Sequence, residues 1–205
     1  MSNLRFRGYY RRRLPHIQIA GSTYFVTFRL IDSLPKDSLE QLAEETARIR
    51  KLPKDENEFE HRTWFEKFDD YLDRVLCGEE YLKNEQVADL VAESIHYRDG
   101  KVYELCTFCI MPNHVHLVFM PLEKGKDVFY SLTEILQSLK RHTARQSNLI
   151  LGRSGAFWQD ESYDHIVRDQ AELERSIKYV LNNPVKAGLV DDWSTWKWSY
   201  CKYDL

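Results

Sequence analysis

Alternating apolar and polar positions predict several β-strands in this chain. Between residues 22 and 30, Tyr24, Val26 and Phe28 occupy every second position, which is the period of a strand. Further strands are predicted at 101–110, from residue 114 onward and at 165–168. Residues 111–113 contain Pro112-Asn113, a turn signal, so the strands on either side are expected to pair as a hairpin.

Apolar residues at helical spacing predict the remaining elements. Helices are expected at 38–50, 62–76, 87–95, 129–146 and 170–182. The stretch 52–60 is charged and contains Pro53, which predicts a loop. Pro184 is expected to end the last helix, because a residue that precedes proline avoids the helical conformation.

The order of these elements predicts an α+β fold in which an antiparallel sheet has helices packed on one side. At 205 residues the chain has enough length for one domain with a substantial core, so residues 1–205 are read as a single domain. The consecutive helices at about 35–99 interrupt the strands, and we interpret them as a helical, acidic insertion.

Two histidines on the predicted strand after residue 113 are the first candidates for chemistry. His114 and His116 flank Val115. Because side chains alternate faces along a strand, both imidazoles are expected to project from one exposed face, while Val115, Leu117 and Phe119 face the core. Two imidazoles without a thiolate suit a divalent metal that takes one more oxygen or nitrogen ligand. A His-x-His pair is common in strands, so the pair alone does not define a site.

A second candidate pair lies at the end of the last predicted helix. Tyr179 and Asn183 are four residues apart and therefore share a helix face. A phenol and a carboxamide brought near two histidines would suit phosphodiester chemistry, in which the tyrosine oxygen attacks phosphorus. A half-buried tyrosine with no chemical role is the ordinary alternative.

The chain resembles the REP-associated tyrosine transposases, a bacterial branch of the single-tyrosine His-hydrophobe-His (HUH) transposases. The matching stretches follow the family's order through most of the chain: 24–29, 111–118, 157–159, 163–168 and 179–190. The resemblance implies that His114 and His116 bind Mg²⁺ or Mn²⁺ and that Asn183 completes the metal site. It also implies that Tyr179 becomes joined to a DNA 5′ phosphate, and that the sheet is a ferredoxin-like or RRM-like core.

The formal net charge of −3 is unusual for a protein that binds DNA, but the charges are unevenly distributed. Residues 32–99 carry 19 acidic and 10 basic side chains, whereas the other residues carry 13 acidic and 19 basic ones. Basic side chains beside aromatic ones can bind phosphates and bases. The residues predicted to contact single-stranded or hairpin DNA are Arg5, Arg7, Arg11, Arg12, Arg13, Lys140, Arg141 and Arg145.

Two compartments are disfavoured by the sequence. No apolar run approaches a membrane span, and no apolar stretch follows the arginine-rich start as in a signal peptide, so a cytoplasmic location is expected. Cys106 and Cys109 form a lone C-x-x-C on a predicted strand, where residues three apart face opposite ways. We therefore interpret the cysteines as reduced structural thiols.

Several alternatives stay open at this stage. His165 could orient a metal ligand or DNA, or it could be a core histidine. The protein could be a domesticated hairpin-binding protein that no longer cleaves, or a metal-dependent phosphodiesterase that uses water in place of tyrosine. Monomer and homodimer are both compatible with the sequence.

Overall fold

The computed structural model describes the backbone of residues 6–11, 15–19, 21–49, 51–52, 54–74 and 77–204. Three strands precede the first helix: β1 (Phe6–Arg11), β2 (Pro15–Ile19) and β3 (Thr23–Arg29). The following elements are α1 (Lys36–Ile49), α2 (Lys54–Asp73), α3 (Glu85–Arg98), β4 (Tyr103–Ile110), β5 (His114–Pro121), β6 (Glu123–Gly125), β7 (Val128–Phe129), α4 (Leu132–Ile150), β8 (Tyr163–Val167), α5 (Gln170–Lys186) and β9 (Ser199–Cys201).

A five-stranded antiparallel sheet organises the fold. Its strands lie in the order β8-β3-β5-β4-β9, and β4 and β5 form the predicted hairpin. Strands β1 and β2 pair separately, as do β6 and β7. The mixed α/β class with an antiparallel sheet is therefore confirmed.

Helices cover both faces of this sheet, which corrects the prediction of helices on one side. The first face packs against α3 and α4, whose apolar positions join Val115, Leu117 and Phe119 in one core. The second face packs against α5 and the α1–α2 pair around Phe25 and Val118. Both faces of β4 and β5 are buried, so each face needs its own helical layer.

Two helix boundaries differ from the sequence prediction. Helix α2 begins at Lys54, where a loop was expected, because a proline immediately before a helix is compatible with helix initiation. Helix α5 continues through Pro184 to Lys186, so Pro184 lies within its last turn. The amide of Ala187 still bonds to the carbonyl of Asn183, which keeps the helical path beyond the proline.

The cysteines also depart from simple alternation. A register shift in β4 between Leu105 and Thr107 inserts one extra residue against β5. Cys106 and Cys109 consequently both pack in the core of the second face, although they are three residues apart. All four cysteines are free, and burial raises the pKa of Cys109 to about 12. Cys106 and Cys109 therefore pack as structural residues, and the reduced state of the four thiols stays a prediction.

Candidate metal and tyrosine site

Strand β5 presents His114 and His116 on the second face of the sheet, directly beneath α2 and α5. Neither imidazole has exposed surface, so the expectation that they project from an exposed face is wrong. Their Nε2 atoms lie 2.9 Å apart. Adjacent ligands at about 2.1 Å from an octahedral metal ion are themselves about 3 Å apart, so this spacing suits two ligands of one ion.

Neighbouring side chains orient both rings through the opposite nitrogen. The Nδ1 of His114 lies 2.6 Å from Oδ1 of Asn113, whose Nδ2 donates to the carbonyl of Leu72. Because that donation fixes the amide orientation, His114 donates from Nδ1 and keeps the lone pair of Nε2. Thr27 Oγ1 lies 2.8 Å from Nδ1 of His116. Burial and the neighbouring His116 lower the pKa of His114 to about 3, so the ring is neutral and can bind a metal.

Helix α2 contributes a third candidate ligand that the sequence prediction missed. Asp69 is fully buried, and its Oδ1 lies 3.2 Å from Nε2 of His116 and 4.0 Å from Nε2 of His114. That oxygen accepts no hydrogen bond from the described residues. Burial alone would raise the pKa of Asp69, but the two histidines outweigh burial and lower it to about 2. Two imidazoles and one carboxylate, with ligand atoms within 4.8 Å of one another, form a cluster that could hold a divalent metal ion.

A signal for Asp69 was present in the sequence. The apolar stripe of α2 includes Phe65, Phe68 and Leu72, and Asp69 lies within that stripe, four residues after Phe65 and three before Leu72. A carboxylate on the buried face of an amphipathic helix needs a partner, because burying an unpaired charge is costly. The histidine pair supplies that partner.

Helix α5 brings Tyr179 to the same place. Its hydroxyl donates a short hydrogen bond to Oδ2 of Asp69, and its ring centroid lies 6.0 Å from that of His116. One carboxylate thus contacts both the phenol and the imidazoles. Burial and the charge of Asp69 raise the pKa of Tyr179, which keeps the phenol protonated in this arrangement.

Asn183 lies one helical turn after Tyr179 and is almost completely buried. Its Nδ2 donates to the carbonyl of Tyr179 at 2.9 Å. Its Oδ1 is buried and has no hydrogen-bond partner among the described residues, so an oxygen ligand is available. Its role as a metal ligand stays a prediction.

A second carboxylate and a lysine complete the surroundings of the site. Asp73 Oδ1 lies 4.0 Å from Nε2 of His114, and burial together with the charge of Asp69 raises the pKa of Asp73 to about 6. Lys186 at the end of α5 lies 2.5 Å from Asp70 and 3.2 Å from Asp73. These ion pairs connect α5 to α2 above the histidines.

The other predicted residues lie outside this cluster. The imidazole of His165 pairs with Glu172 at 2.7 Å. The ammonium of Lys140 contacts the carbonyls of Gln159 and Asp160. Arg141 and Arg145 are exposed on α4, which packs on the first face of the sheet.

The basic N-terminal residues can be placed only in part. Arg5, Arg12 and Arg13 lie outside the described residues. Arg7 and Arg11 belong to β1, but their side chains also lie outside the described part. Their contact with DNA stays a prediction.

Comparison with known proteins places the chain in a family. The family described as "Transposase IS200 like" matches residues 76–183, which include the histidine pair, Tyr179 and Asn183. Because this match covers more than half of the 205 residues, the chain belongs to the IS200-like transposase family. The matched residues begin at 76, after α2, and so exclude Asp69. The bounds of the helical insertion therefore stay a prediction.

Individual relatives agree with the resemblance seen in the sequence. A Haemophilus influenzae protein assigned provisionally to the REP-associated tyrosine transposases is 29% identical over 109 residues, which are 50% of this chain and 61% of that protein. The REP-associated tyrosine transposase of Escherichia coli K12 is 25% identical over 111 residues, 54% of this chain and 62% of the relative. The matched part therefore spans about three-fifths of each relative.

A solved structure has the same fold. It is described as the structure of the REP-associated tyrosine transposase bound to a REP hairpin, and it superposes with a TM-score of 0.52 at 18% identity. The superposition covers 97% of this chain and 82% of the other. Among the described residues, no helix is both long and apolar enough to cross a membrane.

Proposed function

We propose that this transposase-family protein is a metal-dependent endonuclease that cleaves and rejoins single-stranded DNA next to hairpin sequences. One observation carries the proposal. The Tyr179 hydroxyl bonds to Asp69, and the same carboxylate lies against His114 and His116. A nucleophile and a set of metal ligands therefore share one buried site. The names of the relatives support REP-like hairpins as the substrate.

In the proposed reaction, Tyr179 Oη forms a bond to the phosphorus of a DNA phosphate and the P–O3′ bond breaks. The phenol loses its proton, and the leaving oxygen becomes a free 3′-OH. The product is a 5′-phosphotyrosine, and the reverse step rejoins a strand. His114, His116 and Asp69, with Asn183 as a further candidate, would hold a divalent ion, Mg²⁺ or Mn²⁺. Such an ion would supply positive charge that polarises a phosphate oxygen and favours the ionised phenol.

Helix α2 must move before DNA can reach this site. His114, His116 and Asp69 have no exposed surface, and α2 lies over the two imidazoles. A phosphate could not reach an ion held by these three residues while α2 occupies this position. The ion pairs of Lys186 with Asp70 and Asp73 hold α2 against α5, and opening would break them.

DNA contacts away from the site are proposed on charge. The arginines at residues 5–13 and the exposed Arg141 and Arg145 would bind phosphates, because cations on a protein surface release counterions from DNA. Lys140 already contacts two carbonyls and would add less.

The decisive experiment is incubation with labelled single-stranded hairpin DNA and Mg²⁺, with detection of a tyrosine-linked product. Tyr179→Phe removes only the nucleophilic oxygen and should lower cleavage by at least about 10³-fold, with DNA binding nearly unchanged. Tyr103→Phe is the matched control. It removes a buried hydroxyl, bonded to the carbonyl of Ile95, on the other face of the sheet, and it should cleave normally.

The same experiment separates the two alternatives. Cleavage by Tyr179→Phe at the wild-type rate, without an adduct, would favour a phosphodiesterase that uses water. Hairpin binding without cleavage by the wild-type protein would favour a domesticated binding protein. The complete burial of the histidine pair is the observation that keeps this last alternative open.

A further inference from the structure

Arg29 is the last residue of β3 and lies opposite His114 of β5 in the sheet. In the register of β3 and β5, Arg29 pairs with His114 and Thr27 pairs with His116. Directly paired residues of an antiparallel sheet share a face. Since Thr27 bonds to the His116 ring, Arg29 belongs to the same face as the candidate metal ligands.

The guanidinium of Arg29 is buried, and the described part of the chain gives it no direct ion pair. The residue is 7% exposed, and no acidic group of the described residues lies within ion-pair distance of it. Its Nη1 donates to Ser33 Oγ at 3.0 Å and approaches the carbonyl of Leu30 at 3.5 Å. Its Nε and Nη2 meet no acceptor in the described part of the chain. Burial lowers the pKa of Arg29 to about 10, and the more distant Asp32 only partly offsets this.

A second buried arginine shows what a structural role looks like in this protein. Arg98 is 9% exposed and also lacks a carboxylate partner in the described structure. Both of its terminal nitrogens are used, however. Nη1 donates to the carbonyl of Ser94 at 2.7 Å and Nη2 donates to Ser138 Oγ at 3.1 Å. These bonds join the end of α3 to α4, whereas Nε and Nη2 of Arg29 have no such partner among the described residues.

We propose that Arg29 binds a phosphate of the DNA strand that enters the site beside His114. The proposal rests on the proposed function, because the phosphate would belong to the strand that the histidine site is proposed to cleave. The planar guanidinium donates two parallel hydrogen bonds to phosphate oxygens, and Nε and Nη2 form the edge that would make them.

The test compares Arg29→Met with Arg98→Met, both in the Tyr179→Phe background so that no cleavage disturbs binding. The measurements are affinity for a labelled hairpin with a single-stranded flank across a salt series, the thermal midpoint without DNA, and Mn²⁺ affinity. Arg29→Met should weaken DNA binding at least fivefold and reduce the salt slope by about 0.7, the value for one phosphate on a single strand. Its thermal midpoint and Mn²⁺ affinity should stay close to those of the parent.

Arg98→Met should show the opposite pattern, with a lower thermal midpoint and an unchanged salt slope. Arg29→Lys keeps the charge but not the planar edge, so its salt slope should match the parent while its affinity falls. The proposal is overturned if Arg29→Met binds DNA like the parent, or if it unfolds while Arg29→Lys binds normally. Failure of the proposed function would show instead as wild-type protein that forms no tyrosine adduct.

Discussion

The two faces of the five-stranded sheet are buried by different means. The first face, under α3 and α4, is an apolar core formed by residues such as Leu105, Leu117 and Leu139. The second face, under α5 and α2, buries two histidines, a carboxylate and an arginine among its apolar residues. Alternation along β5 places Leu117 on one face and His116 on the other.

This difference shows how one strand can serve stability and chemistry together. Burial of apolar surface on the first face stabilises the fold without any partner. The polar groups on the second face are costly unless they are hydrogen-bonded, paired or bound to an ion. Asp69 Oδ1 and Asn183 Oδ1 are buried acceptors without a hydrogen bond among the described residues, so this face is stabilised incompletely by the protein alone.

The largest effect on stability should come from the first face. Leu117→Ala would leave a cavity beneath α3 and α4 and should lower the free energy of unfolding by about 2–5 kcal/mol. Because Leu117 points away from the histidines, Mn²⁺ affinity should not change. Urea unfolding and calorimetric titration with Mn²⁺ check both expectations. A loss of Mn²⁺ affinity with intact folding would show that the two faces are not independent.

Metal should stabilise the second face. Mn²⁺ at about 100 times its dissociation constant should raise the free energy of unfolding by about 2.7 kcal/mol, and a chelator should reverse this. Asp69→Asn keeps the shape of the side chain but loses the charged oxygen, so it should lose most of the gain. Thermal unfolding of both proteins with and without Mn²⁺ measures this gain in stability. An undiminished gain in Asp69→Asn would remove Asp69 from the ligand set.

A smaller loss of Mn²⁺ affinity should follow when the imidazole of His116 loses the hydroxyl that orients it. Thr27→Val removes the hydroxyl beside Nδ1 of His116 and should weaken Mn²⁺ binding by about 10–100-fold, because that contact orients the ring. Thr107→Val is the matched control, since this buried hydroxyl donates to the carbonyl of Tyr200 instead. Equal Mn²⁺ affinity in the two variants would contradict the orienting role of Thr27.

The smallest effect concerns an exposed helix start on the first face. The pKa of Glu134 is lowered to about 2 by hydrogen bonds from Lys124 and from the backbone and hydroxyl of Ser131. A lowered pKa means that this carboxylate stabilises the fold above its usual value of 4.5 and that the contribution is lost as pH falls toward 2. Since the side chain is half exposed, Glu134→Gln should cost only about 0.5–1 kcal/mol at neutral pH.

Urea unfolding of wild type and Glu134→Gln at several pH values measures this contribution. The difference between the free energies of unfolding of the two proteins should become smaller as pH falls from about 5 toward 2. If this difference in the free energy of unfolding does not change with pH, the capping geometry stabilises the helix and the charge of Glu134 does not.

The elements with clear periodicity were predicted well. The β4–β5 hairpin, β3 and α4 lie close to their expected positions, because alternation and helical spacing are local properties of the chain. The loop expected at 52–60 was wrong, since α2 starts directly after Pro53 and its charged first turns are compatible with a helix. These patterns could not predict which face of the sheet each helix covers, because β4 and β5 are buried on both sides.

The sequence by itself determined which side chains share a face: the two histidines through the period of a strand, and Tyr179 with Asn183 through the period of a helix. Only the tertiary structure decided which faces meet. Tyr179 and Asp69 are 110 residues apart in sequence, and they meet because α2 and α5 pack on the same side of the sheet. The burial of the histidines depends on that same packing, and the pairing of β3 with β5 places Arg29 opposite His114. Local periodicity fixes the direction of a side chain, but its partner is set by how the elements pack together.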